Sequence, residues 1–163
     1  MPVRCAAMTT PDRYDRLAEV IARSDRANFG RGVAEEIIAD AERHLGLAFP
    51  PSYRWWLARY GAGYIGGCEL QGLFPELIAA REPDLPLVGD VVYLADLHAK
   101  RSGHQRHLLE ILSYEGDEIY FLDTSRRGPD GECPVVCRYA RGEKLQDAAP
   151  DFAAFLEREL AAY

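Results

Sequence analysis

Long apolar runs are absent from this sequence. No stretch approaches the about 20 residues that cross a bilayer, and the opening MPVRCAAMTT lacks the apolar core of a secretory signal. These absences predict a cytoplasmic protein. With 163 residues, of which 48% are hydrophobic and 28% charged, the composition is typical of one globular domain, which we expect to span residues 1–163.

Positive charge is scarce as well. Lysine and arginine number 19 against 26 aspartates and glutamates, which leaves a formal net charge of −7. Binding to nucleic acid depends largely on clustered Lys and Arg, so this balance predicts no direct nucleic-acid ligand. An acidic surface favours encounter with a basic protein, because complementary potentials raise association rates.

Cysteines are too few and too scattered for a disulfide scaffold, which predicts reduced thiols. They are Cys5, Cys68, Cys133 and Cys137. The last two flank a predicted strand, which would hold their Cα atoms about 13 Å apart, too far for a mutual disulfide. No C-x-x-C pair is present, so we expect no metal and no cofactor. A metal site built with a histidine stays open as an alternative, the candidates being His98, His104 and His107.

Catalytic motifs are missing too. The chain has no G-x-S-x-G, no P-loop and no H-E-x-x-H, so we predict that it is not an enzyme, although a dispersed site of separate residues stays open. Asp123, Thr124 and Ser125 resemble the Asp-Thr-Ser element of aspartic proteases, but the second carboxylate copy that such enzymes need is absent. The simpler interpretation is an aspartate that closes an Asx turn at a strand end.

One apparent nucleotide motif fails on its context. Gly61, Gly63 and Gly66 form G-x-G-x-x-G, but a dinucleotide fingerprint needs a strand before the glycines and a helix after them. Here a predicted helix precedes them and a predicted strand follows. We interpret the glycines as a tight corner between helix and sheet.

Apolar spacing and turn residues predict an alternation of helices and short strands. The predicted helices cover residues 11–24, 33–45, 51–60, 90–101 and 151–162, with Thr10 and Asp90 as N-caps. The predicted strands cover residues 64–73, 108–114, 118–123 and 133–140. A polar connector is expected at residues 24–32, a loop covering the core after residue 73, and a surface loop at residues 124–132.

The third predicted helix is the most informative. Its apolar stripe consists of Tyr53, Trp56, Leu57 and Tyr60, and Gly61 is expected to supply a left-handed C-cap. Successive residues of a helix are about 100° apart around its axis, so Trp55 projects roughly opposite the middle of that stripe. It therefore needs a different cover, either a neighbouring segment, which we favour, or a partner protein.

The segment LGLAFPPSYRWWLARYGAG resembles the hallmark of the SUKH superfamily. It has a helix ending in L-G, a helix of the form P-x-x-Y-x-x-x-L and a glycine-rich exit, and later segments agree. These are EGD at residues 115–117, GECPV at 131–135 and DFAAFL at 151–156. The likeness spans about residues 33 to 160, which makes residues 33–163 the family core and residues 1–32 an N-terminal helix and connector.

This resemblance implies an α+β fold with helices packed on a mainly antiparallel sheet. It also implies a function. Similar bacterial members are typically cytoplasmic immunity proteins that neutralise a cognate toxin, often a nuclease, whereas fungal relatives regulate and scaffold cell-wall synthesis. It carries no catalytic residue over to this chain.

We expect the toxin to contact exposed positions on predicted turns, on strand ends and on the odd face of the third helix. The expected contact residues are Trp55, Tyr64, Glu69, Glu115, Asp117, Glu118, Asp123 and Glu132. For each carboxylate the competing interpretation is a solvated surface charge. The competing function is a regulatory or scaffold module that binds a small molecule, peptide or cell-wall-synthesis partner, in which Trp55, Tyr64 and Tyr93 would line a pocket. Monomer and homodimer both stay open.

Overall fold

A seven-stranded antiparallel sheet runs through the molecule, and its strands lie side by side in the order in which they occur along the chain. In the computed structural model, the residues described are 10–75, 89–101, 103–115, 117–139, 142 and 144–162. The strands are β1 Ala27–Phe29, β2 Gly63–Ile65, β3 Cys68–Leu70, β4 Leu108–Tyr114, β5 Glu118–Asp123, β6 Val135–Tyr139 and β7 Leu145–Ala149.

Five helices accompany the sheet in the described part of the chain, which confirms the predicted α+β class. They are α1 Thr10–Arg23, α2 Glu35–Leu45, α3 Pro51–Tyr60, α4 Val91–Ala99 and α5 Phe152–Ala161. Each lies within two residues of its predicted bounds. The predicted cap of α4 is confirmed, because the Asp90 carboxylate accepts hydrogen bonds from the backbone N–H groups of Val92 and Tyr93, both at 2.9 Å.

The prediction of a connector at residues 24–32 is wrong in one respect, because strand β1 lies within it. β1 pairs with β2, and hydrogen bonds outside the strands extend the pairing, from Gly30 N to Ala62 O and from Gly66 N to Arg26 O. Three residues are too short to show a period-2 pattern, so only the partner strand reveals β1. Strand β7 was missed for a related reason, since its sequence LQDAA contains no β-branched or aromatic residue.

Two predicted strands differ in their bounds. The run predicted at residues 64–73 is a hairpin of β2 and β3, because Gly66 and Gly67 both take positive φ and turn the chain between them. The strand predicted at residues 133–140 starts only at Val135. Most of the loop predicted after residue 73 lies outside the described residues.

The main core forms around one face of α3. Tyr53, Trp56 and Leu57 are fully buried, as predicted, while Tyr60 is partly buried at the edge. Phe152 of α5 packs edge-on against the first two rings, with centroid distances of 4.9 Å to Tyr53 and 5.7 Å to Trp56. Helix α5, which follows the sheet in sequence, therefore packs against α3, which precedes most of the sheet.

The chain leaves α3 differently from the prediction. Gly61 has φ 73° and ψ −54°, a positive φ outside the left-handed helical region that a standard C-cap uses. A Cβ at this position would lie 2.4 Å from the backbone oxygen of Arg31, and the Gly61 carbonyl accepts a hydrogen bond from Leu73 N at 2.9 Å. The corner between helix and sheet is therefore set by two neighbouring segments, which leave no room for a side chain.

The first and last helices contact one another. Arg13 of α1 donates two hydrogen bonds of 2.8 Å to the two carboxylate oxygens of Asp151. Asp151 also caps α5, because one of those oxygens accepts from Ala154 N at 2.8 Å. One half-buried carboxylate therefore both starts α5 and attaches α1 to it.

Removal of the Phe152 ring tests this arrangement. Phe152→Ala should lower the free energy of unfolding by about 3–5 kcal/mol, because it leaves a cavity between two buried aromatic side chains. Phe152→Leu keeps most of the apolar volume and should cost less. Urea unfolding measures both, with Val20→Ala as control, since Val20 is 47% exposed on α1. A Phe152→Ala cost close to that of the control would contradict the assigned core.

Candidate functional site

A groove of about 640 Å³ opens at the end of the sheet formed by β1, β2 and β3. We call it the edge groove. It is lined by residues 28–34, Ile37, Tyr60, residues 62–64, Glu69 and residues 73–75. The segment after β1 and the beginning of α2 form one side, and the segment after β3 forms the other.

The strand register places three polar side chains in one row beside this groove. Asn28 lies opposite Tyr64 in the β1–β2 pair, and Tyr64 lies opposite Glu69 in the β2–β3 pair. Ile65 and Leu70, which follow Tyr64 and Glu69 in sequence, are fully buried in the core. Because side chains alternate along a strand, the row lies on the face of the sheet that points away from the core. Tyr64 is 48% exposed. The structure thus brings together two of the expected contact residues, Tyr64 and Glu69.

The wall of the groove depends on close backbone contact with α3. A Cβ at Gly32 would lie 1.7 Å from the carbonyl oxygen of Ala58, and Val33 N donates to Leu57 O at 3.1 Å. Any side chain at position 32 would push this segment away from the helix. The glycine therefore keeps the wall, including the exposed Arg31, against the end of α3.

Apolar side chains and charges of both signs meet in the edge groove. Phe29 and Val33 pack against the core from one side and Leu73 from the other. Arg31 and Glu69 form no ion pair with any residue that the structure describes. An apolar floor bordered by available charges and a half-exposed tyrosine is the composition expected of a protein-binding surface.

Trp55 is covered from within the chain. Its ring stacks on Tyr14 of α1, with centroids 4.9 Å apart and planes at 17°, and it meets Tyr60 edge-on at 6.0 Å. The favoured interpretation, cover by a neighbouring segment, is confirmed. Trp55 does not line the edge groove.

Three expected contact residues lie at the turn between β4 and β5. Glu115 takes a positive φ of 48°, and both it and Asp117 are exposed. Glu118 is partly buried and accepts a hydrogen bond of 2.8 Å from the Tyr120 hydroxyl. The turn is thus an acidic tip, separate from the edge groove, in which two of the three side chains face solvent.

Asp123 stabilises the turn that follows β5. Its carboxylate accepts from Ser125 N at 3.1 Å, from Ser125 Oγ at 2.6 Å and from Arg126 Nε at 2.9 Å, which confirms the Asx-turn interpretation. Burial raises the pKa of Asp123, but the bonds from Ser125 and Arg126 outweigh burial, and the net pKa lies below its ordinary value.

Glu132 holds the beginning of α3. It accepts from Ser52 N at 2.9 Å, from Ser52 Oγ at 2.8 Å and from the Tyr14 hydroxyl at 3.3 Å. Ser52 is fully buried, so the carboxylate satisfies both polar groups of that residue at the positive end of the helix dipole. Burial raises the pKa of Glu132, against the lowering effect of the Ser52 bonds.

A sequence model of the SMI1/KNR4 family (SUKH-1) matches residues 32–158, most of the chain. The chain belongs to this family. The resemblance read from the α3 segment is therefore confirmed. SUKH-1 proteins are generally non-catalytic, and they are often immunity proteins.

The SUKH-1 match includes Tyr64 and Glu69 but begins after β1. Asn28 and Arg31, which complete the edge groove, therefore come from outside the matched segment. Sequence reasoning missed both, because their position depends on the pairing of a three-residue strand. The only local signal was Gly30-x-Gly32, which indicates close backbone approach without showing to what.

Three side chains of this SUKH-1 chain that could carry chemistry, those of His98, Cys133 and Cys137, are hydrogen-bonded or buried in the fold. The described residues contain no group of three or more His, Cys, Asp or Glu side chains that could hold a metal ion. His98, one of the candidate metal ligands, contacts Glu110, with Nε2 and Oε2 2.7 Å apart. Burial raises the pKa of the Cys133 and Cys137 thiols, which makes both poor nucleophiles. None of the helices in the described ranges is both long and apolar enough for a membrane span.

The lowered pKa of Asp123 gives a pH-dependent prediction. Asp123→Asn should reduce the free energy of unfolding at pH 7 by about 1–3 kcal/mol, since hydrogen bonds to a charged acceptor are lost. The carboxylate stabilises the fold above its unfolded pKa of about 3.9, and this contribution disappears as the pH falls through the lower folded pKa.

The difference between wild type and Asp123→Asn should therefore shrink below about pH 4, measured by urea unfolding across a pH series. Asp40→Asn is a suitable control, because Asp40 forms only an exposed pair with Arg43 on α2. A difference that stays constant over the whole series would show that the carboxylate charge does not stabilise the turn.

Proposed function

We propose that this SUKH-1 protein is an immunity protein that binds and neutralises a cognate toxin in the cytoplasm, with the edge groove as its main contact surface. The observation that carries the proposal is the row of Tyr64 and Glu69 beside an apolar groove. Family membership supplies the class of partner, since SUKH-1 proteins are often immunity proteins.

The composition of the groove supports a protein partner. Tyrosine is enriched among the residues that dominate binding energy, because it buries a large ring at low entropic cost and keeps a hydroxyl for hydrogen bonding. Glu69, directly opposite Tyr64 in the register, can pair with a cationic side chain of the toxin. Tyr64 would act as the anchor and Glu69 would orient the partner.

Charge supports a basic toxin, such as a nuclease. The net charge of −7 steers a cationic partner towards the chain, and the acidic tip at Glu115 and Asp117 adds exposed negative charge at a second place. Neutralisation would follow by covering the toxin active site or by holding the toxin in an inactive conformation. Neither route requires a catalytic group of this chain.

A regulatory module that binds a small molecule or a peptide is the second candidate. The volume of the edge groove, about 640 Å³, falls in the range of small-molecule sites, about 300–1,000 Å³. Of the three aromatic residues expected to line such a pocket, however, only Tyr64 reaches the groove, and Trp55 and Tyr93 lie elsewhere.

Co-expression with the toxin encoded beside this gene tests the proposal. Wild type should restore growth and form a complex that survives purification. Tyr64→Ala and Glu69→Ala should each weaken toxin binding about 10-fold or more, equivalent to about 1.4 kcal/mol, measured by calorimetry.

Tyr139→Ala is a matched control, because Tyr139 is 46% exposed, against 48% for Tyr64, but lies on β6. It should leave the affinity unchanged. Absence of both rescue and complex would refute the immunity role for that pair. Rescue with equal effects of the Tyr64 and Tyr139 substitutions would keep the role but remove the edge groove from it.

A further inference from the structure

A second groove, of about 740 Å³, lies across β4 to β7, on the face of the sheet that points away from the main core. We call it the outer-face groove. Its floor is a small apolar cluster that is separate from the main core, in which Leu108 and Phe121 are buried and Ile119 and Leu145 pack against them. Strand alternation produces this cluster, because the intervening residues Tyr120 and Leu122 face the helices.

Positive charge surrounds that floor. The guanidinium of Arg138 lies 5.0 Å from the Phe121 ring centroid, and His104 stacks on His98 at 5.4 Å. Arg101 and Arg106 lie close enough to act electrostatically on His104. Burial, followed by repulsion from His98 and then from the three arginines, lowers the pKa of His104. A local group of basic residues thus lies at this groove, namely Arg101, Arg106, Arg138 and His104.

These cations are not neutralised within the described part of the chain. Arg101, Arg106 and Arg138 have no described carboxylate within 4.0 Å, the distance that defines an ion pair. Two carboxylates on the same face of the sheet are already engaged, since Glu110 bonds to His98 at 2.7 Å and Asp147 bonds to Arg126 at 2.6 Å.

Other arginines of the chain do form ion pairs. Arg13 pairs with Asp151, and Arg54 pairs with both Glu35 and Glu42. Those pairs join helices and loops of the fold. Arg101, Arg106 and Arg138 form no such pair with any described residue, so the described part of the chain leaves their charge available to a partner.

We propose that the outer-face groove docks an acidic segment of a partner protein. Carboxylates of that segment would pair with Arg138 and with the cations around His104, and one apolar side chain would cover Leu108 and Ile119. The proposal stands apart from the toxin-binding function, since it concerns a different groove, over other strands of the sheet, and a partner of the opposite charge.

The apolar floor of the outer-face groove favours an acidic peptide over other anionic ligands. A small free anion would gain nothing from the apolar cluster. Single-stranded nucleic acid needs exposed aromatic faces for base stacking, and Phe121 is 3% exposed beneath Arg138. An acidic peptide with one apolar residue matches both the cationic rim and the apolar floor.

Fluorescence anisotropy with a labelled eight-residue peptide tests the proposal, the peptide carrying glutamates around one central leucine. It should bind the whole protein at low salt, and about 300 mM salt should weaken binding severalfold, because the exposed charges are then screened. Arg138→Ala should weaken binding about fivefold or more, as should Arg106→Glu, which changes an exposed residue and should leave the fold intact.

Arg59→Ala is the matched control, because Arg59 also lies over an aromatic ring, 5.8 Å from the Tyr60 centroid, but on α3. It should leave the affinity within about twofold, as expected for a charge outside the groove. Circular dichroism of each variant verifies folding. Toxin binding is measured separately, so failure here leaves the proposed function untouched.

Four results would overturn the proposal: no binding, equal loss with the Arg59 and Arg138 substitutions, equal binding of a peptide that lacks the leucine, or tighter binding of a single-stranded RNA of the same charge. The last would identify a nucleic-acid surface.

Discussion

The packing of Tyr53 and Trp56 against Phe152 is the contact on which the rest of the structure depends. It joins α3, which precedes most of the sheet, to α5, which follows all of it, with both helices over one face of the strands. At the start of α3, Glu132 satisfies the buried Ser52, and at its end the backbone of residues 32–33 lies directly against the helix. The edge groove exists because α3 is held at both ends.

One face of the sheet meets the helices through buried alternate residues, and the opposite face carries two surfaces. At its β1–β3 end, Tyr64 and Glu69 lie beside an apolar groove. Across β4 to β7, a small apolar cluster is bordered by arginines that have no ion-pair partner among the described residues. The two proposals accordingly assign partners of opposite charge to the two grooves of this SUKH-1 protein, a basic toxin to the edge groove and an acidic segment to the outer-face groove.

Sequence reasoning succeeded where the signal is local. The stripe on α3, the Asp90 cap and the strands β4 and β5 all follow from residues within one or two turns of each other. It failed for β1, whose three residues become a strand only through β2. Asp123 closes the Asx turn that the local sequence predicted, whereas Glu132, an expected contact residue, accepts hydrogen bonds from Ser52, which is far away in sequence.

The sequence by itself determined the helices and the burial of the aromatic stripe, because these depend on periodicity, caps and turn residues that are read along the chain. The resemblance of its motif segments indicated the family and, with it, the α+β class. Only the tertiary structure decided which exposed residues share a surface. Tyr64 and Glu69 meet through strand register, Trp55 is covered by Tyr14 from another helix, and Arg138 joins the cations around His104 through sheet pairing. Such proximity arises between segments far apart in sequence, and no local pattern encodes it.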